Sequence, residues 1–97
     1  MDLDQFKDSL KQETPPENIP DVLTAMWYDA KGDWEKAHAT AQEIHDRDGS
    51  WVHAYLHRKE GDEGNASYWY SRAGKSKCSS SLDDEWQSIT ENFLKNF

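Results

Sequence analysis

The chain breaks twice in the same way. Gly32-Asp33 and Gly61-Asp62 stand 29 residues apart, and each Asp is followed four residues on by an alanine, Ala37 and Ala66. A glycine takes the left-handed backbone that ends a helix and reverses the chain, and the Asp after it caps the next helix. The alanine is small enough for the two paired helices to approach closely. A unit of this kind met twice, at a period within roughly 20–50 residues, predicts stacked helical hairpins.

The apolar pattern between the breaks agrees. Leu3, Phe6 and Leu10 share a face over residues 2–11, where Asp2 and Gln5 can form a capping box. Thr14-Pro15-Pro16 ends that helix, since proline lacks a donor and disfavours helix in the residue before it. A second helix starts near Pro20 and carries Val22, Leu23, Met26, Trp27 and Ala30 as far as Gly32. A third runs from Trp34 to about Asp46 and is closed by Gly49, after which Ser50 caps a fourth bearing Trp51, Ala54 and Tyr55. The fifth holds Ala66, Trp69, Tyr70 and Ala73 and stops at Gly74. Residues 75–81 are polar and serine-rich, and read as a mobile linker. In the last helix, 82–97, Leu82, Trp86, Ile89, Phe93 and Phe97 recur at helical spacing behind Asp83, Asp84 and Glu85. Nothing alternates at period two. The expected fold is therefore one all-α domain of five to six helices. Two antiparallel hairpins, about 20–48 and 50–74, are flanked by N- and C-terminal helices that cap the stack.

At 97 residues such a domain is marginal, and only 35% of its residues are hydrophobic. Five Trp, four Tyr and three Phe compensate, because each ring buries far more area than an aliphatic side chain. The net charge of −8 falls as −7 over residues 1–50, +2 over 51–80 and −3 over 81–97. An acidic chain is repelled by phosphate backbones and anionic membranes, so neither nucleic acid nor membrane is expected as a partner. The short group Arg72, Lys75 and Lys77 beside Tyr68 and Tyr70 does not alter that balance. No apolar run reaches bilayer length, and Met1-Asp2-Leu3-Asp4 lacks the layout of a secretory signal. The single cysteine, Cys78, fits a reducing compartment, and the cytoplasm is the expected location.

The Gly-Asp-x-x-x-Ala turns, with Tyr28 four residues before the first glycine and Ala41 in the second helix, resemble the tetratricopeptide pattern. The stretch Ala66-Ser67-Tyr68-Trp69-Tyr70-Ser71-Arg72-Ala73 is similar to the close of Sel-type repeats. The resemblance covers about residues 20–74. It implies that the first helix of each hairpin lines a concave face that binds a protein or peptide. The lining positions would be Val22, Met26 and Asp29 in the first copy, and Trp51, Tyr55, Arg58 and Lys59 in the second. Rings followed by cations suit an acidic or C-terminal peptide. Trp51 and Tyr55 can equally fill the seam between hairpins.

A second constellation offers another class of function. His53 and His57 stand one helical turn apart, a spacing that can place two imidazoles on one metal, and His45 would face the level of His53 if the preceding helix folds back about Gly49. His38 lies on that same preceding helix. Glu43, Asp46 and Glu60 are the alternative neighbours for these histidines. No phosphate-binding glycine loop, Gly-x-Ser-x-Gly, Cys-x-x-Cys or His-Glu-x-x-His is present, so no enzyme and no cofactor is expected. The expectation is a non-catalytic interaction module, with a metal- or small-molecule-binding protein as the alternative and a homodimer formed through an apolar face as the third.

Overall fold

In the computed structural model, which describes residues 1–97, six helices and no strands follow from this pattern: α1 (Leu3–Ser9), α2 (Asp21–Ala30), α3 (Trp34–Gln42), α4 (Arg47–Lys59), α5 (Glu63–Ala73) and α6 (Leu82–Lys95). The capping box at Asp2 and Gln5 is formed in both directions. None of the helices is long and apolar enough to cross a membrane.

The two breaks are the same device. Gly32 and Gly61 sit at φ +83° and +88°. The N–H groups of Asp33 and Asp62 donate back to the carbonyls of Tyr28 and His57, each at 2.9 Å. Their carboxylates then accept from the N–H groups of Lys36 (3.1 Å) and Asn65 (3.2 Å), satisfying donors that a helix start leaves free. Three residues join α2 to α3 and α4 to α5, so each pair packs as an antiparallel hairpin. Ala37 and Ala66 are fully buried where the paired helices close together. α4 packs on both α2 and α3, which stacks the second hairpin on the first.

The junction between the hairpins departs from expectation. α3 ends at Gln42 rather than near Asp46, and Asp46 rather than Ser50 caps α4, accepting from the N–H of Gly49 at 2.9 Å. The second hairpin therefore starts at Arg47. Gly49 lies inside the first turn of α4, where Ile44 folds directly over it; a Cβ on Gly49 would stand 2.3 Å from the Ile44 carbonyl oxygen. Close approach, and not chain reversal, requires this glycine. Gly49→Ala is expected to cost about 1–3 kcal/mol in urea denaturation, as overpacking does. Gly64→Ala, whose new methyl would meet only the Asp62 carboxylate at 4.0 Å, should be neutral or stabilise by up to about 1 kcal/mol.

The flanking helices also sit differently from end caps. α6 packs on α2 and α4, the first helix of each hairpin, and α1 packs on α6. Trp86, Ile89, Phe93 and Leu94 of α6 are buried, and the Trp86 indole donates to the Met26 carbonyl at 3.0 Å. Phe6 of α1 closes the layer, its ring 6.0 Å from that of Trp86. α6 stops at Lys95, so Phe97 is exposed and does not join the apolar stripe. Residues 75–81 are non-helical but held. Arg58 donates to the Ser80 carbonyl, Cys78 packs against the small cluster of Ala54, Ala66 and Tyr70, and the Lys75 ammonium sits 4.3 Å from the Trp51 ring centroid.

Candidate metal centre

The residues expected to line a peptide groove lie inside the molecule or are engaged by it. Met26 is fully buried, and Asp29 and Tyr55 are each 2% exposed. Half-buried Trp51 meets Phe93 of α6 edge-on, with ring centroids 5.6 Å apart. Asp29 accepts from the Tyr55 hydroxyl and from the Lys59 ammonium, both at 2.9 Å. Arg58 pairs at 2.7 Å with Glu85, a carboxylate 3% exposed, which also accepts from the Tyr70 hydroxyl at 2.5 Å. Burial, with the neighbouring Asp29 for Tyr55 and Glu85 for Tyr70, holds both hydroxyls far above the ordinary tyrosine value, so they remain donors. The face predicted to be a groove is thus filled by α6, through apolar packing and the Arg58–Glu85–Tyr70 triad, while the Lys59–Asp29–Tyr55 triad ties α4 to α2.

The histidines assemble elsewhere. Because α3 ends at Gln42, His45 falls in the connection and is exposed. The side chain brought against α4 is His38, about two turns further back along the chain. Its Nε2 lies 2.9 Å from the Nε2 of His53, and one donor nitrogen from each of His38, His53 and His57 falls within 4.8 Å of the others. The ring centroids form a triangle of 4.6, 5.4 and 5.0 Å. Zinc–nitrogen bonds of about 2.0–2.1 Å at tetrahedral angles set the donors about 3.3 Å apart, which is within side-chain adjustment of this arrangement.

The surroundings position each ring. His57 directs Nδ1 at Glu60 Oε1, 2.7 Å away; with the proton on Nδ1, the Nε2 lone pair is left free. Trp34 stacks on His38 (centroids 4.8 Å, planes 10° apart), and its indole N–H is fixed by the Leu56 carbonyl at 2.9 Å. Trp69 of α5 stacks on His53 at 4.0 Å and 19°. His57, Glu60 and Asp62 form a second group with donor atoms within the same distance of one another. Neither Trp34 nor Trp69 is legible as part of a site from sequence; the repeated i, i+4 spacing of Trp34 and His38 with His53 and His57 is the signal that could have found His38.

Burial, reinforced by His38 and His57, pushes His53 down to about 4. His38 is also lowered, first by burial and then by His57. His38 and His53 are therefore neutral rather than positively charged at neutral pH. In the unfolded chain these rings take up protons near pH 6.5, and in the folded chain only at lower pH. Between those limits the unfolded state binds more protons, so stability falls as the pH drops from about 6.5 toward 4. The expected loss from His53 is about 1–2 kcal/mol after solvent screening. Urea midpoints across that range should show it, and His53→Gln should flatten the slope.

Compared with known proteins, the chain matches no protein-family model, no curated protein and no solved structure.

Proposed function

We propose that this protein is a small helical domain that binds a transition-metal ion through one nitrogen each of His38, His53 and His57. The observation carrying the reading is the convergence of three imidazoles from two helices of different hairpins. A histidine with a purely structural role usually pairs with a carbonyl or a carboxylate. Here His38 and His53 instead meet nitrogen to nitrogen, and His57 alone has a carboxylate, on the ring atom that a metal ligand offers to its outer shell. An all-imidazole donor set suits zinc, copper, nickel or cobalt, and does not suit calcium or magnesium.

The peptide-binding role implied by the repeat resemblance calls for an open face on the first helices. In this chain α6 covers that face, which favours the metal reading. The one cysteine, Cys78, is free, and supports placing the protein in a reducing compartment such as the cytoplasm.

Protein purified without a polyhistidine tag should carry, or take up from Zn²⁺, Co²⁺ or Ni²⁺, about one equivalent by elemental analysis and titration calorimetry. His38→Gln and His53→Gln should weaken binding by at least about tenfold while retaining the helical circular dichroism, and His45→Gln should bind as wild type. Absence of uptake for every one of these ions by the folded wild-type protein would overturn the reading.

A further inference from the structure

We infer that an ion held by His38, His53 and His57 keeps a fourth coordination position supplied from outside the chain, by a water molecule that a small anion displaces. The inference rests on the metal reading above and concerns what the chain leaves unfilled. No fourth histidine, cysteine or carboxylate of the chain converges with all three rings. Glu60 converges with His57 but not with His38 or His53, and its Oε1 is held by His57 Nδ1 at 2.7 Å. Asp62 caps α5, its two oxygens accepting from the N–H and the Nδ2 of Asn65 at 3.2 and 2.7 Å. Cys78 lies beside the Ser80 hydroxyl at 3.0 Å, packed against Ala54, Ala66 and Tyr70. His45 is exposed in the α3–α4 connection.

Zinc sites that only support a fold are closed by four protein ligands; sites with three keep a position for solvent. Access is present here, since His38 is half-buried and the His57 side chain retains 11% exposure. Three neutral imidazoles leave the full double charge of the ion on the centre, which attracts an anion. The indoles of Trp34 and Trp69, stacked on His38 and His53, put apolar walls beside the donors and favour a small anion over a bulky one. In the exchange the water leaves with its lone pair as the lone pair of the anion takes its place. No bond to the protein changes and nothing is oxidised.

Co²⁺ is the probe, because its visible absorption reports both coordination number and ligand identity. Full-length protein loaded with one equivalent of Co²⁺ should show the intense visible bands of four-coordinate cobalt. Sodium azide should then shift those bands saturably along a single-site curve, with clean isosbestic points. Cobalt bands that stay unchanged through the azide titration would overturn the open position while leaving the metal reading standing. Absence of cobalt bands altogether, in protein whose circular dichroism is native, would overturn both.

Discussion

Glu85→Ala is expected to destabilise the fold by about 3–5 kcal/mol, the cost of breaking a buried ion pair from one side. Glu85 lies in the first turn of α6, only 3% exposed, and accepts from Arg58 of α4 at 2.7 Å and Tyr70 of α5 at 2.5 Å. Its removal strands a guanidinium whose side chain is 17% exposed and a tyrosine hydroxyl that burial keeps protonated. A small domain has about 5–15 kcal/mol in all, so α6 should lose its place on α2 and α4 well before the hairpins unfold. Urea denaturation followed by near-ultraviolet circular dichroism, which senses Trp86, measures the loss. Arg58→Met in the same chain should recover part of it, because no charge is then left unpaired. A loss under about 1 kcal/mol for Glu85→Ala would mean that the triad behaves as a solvated surface pair.

That triad also shows where the sequence was readable. The acids opening α6 (Asp83, Asp84, Glu85) and the cations closing α4 (Arg58, Lys59) are both visible in the primary structure, each favourable to its own helix dipole. Only the tertiary fold shows that one of those acids pairs with one of those cations. Without it, rings followed by cations on α4 read as an external binding face. The elements themselves were legible because their signals are local: the capping box at Asp2, the Gly-Asp turns, and the stripe from Leu82 to Phe93. The α3–α4 junction was not, because two local signals compete there. Ser50 and Asp46 are both good caps, and Gly49 suits a helix end as well as a tight contact; the packing of Ile44 over Gly49 decides between them.

The same junction controls how much of the metal centre could be read. The one-turn spacing of His53 and His57 is a property of α4 alone and needs no tertiary information. The third ligand depends on where α3 ends. Ending it at Gln42 puts His45 in the connection and His38, about two turns back along the chain, against His53. Trp69 reaches His53 from α5, so its part follows from how the second hairpin closes at Gly61, and no spacing within α4 contains it.

Saturating Zn²⁺ is expected to raise the melting temperature by about 10–20 °C. An ion that binds only the folded state stabilises it by about 2.7 kcal/mol at a hundredfold excess over Kd, and about 1 kcal/mol is worth roughly 4–8 °C in a domain of this size. The effect should approach that limit because the donors come from α3 and α4, which belong to different hairpins, so the unfolded chain offers no preformed site. The lowered His38 and His53 add to it, since protons compete little with the metal at neutral pH. Mg²⁺ and Ca²⁺, which take oxygen ligands, should leave the melting temperature unchanged. His38→Gln should remove most of the zinc-dependent rise and His45→Gln none of it. A rise that survived His38→Gln and disappeared with His57→Gln would place the ion on the neighbouring group of His57, Glu60 and Asp62. In that case the three-imidazole triangle would be a packing arrangement, with His38 stacked on Trp34 and His53 on Trp69.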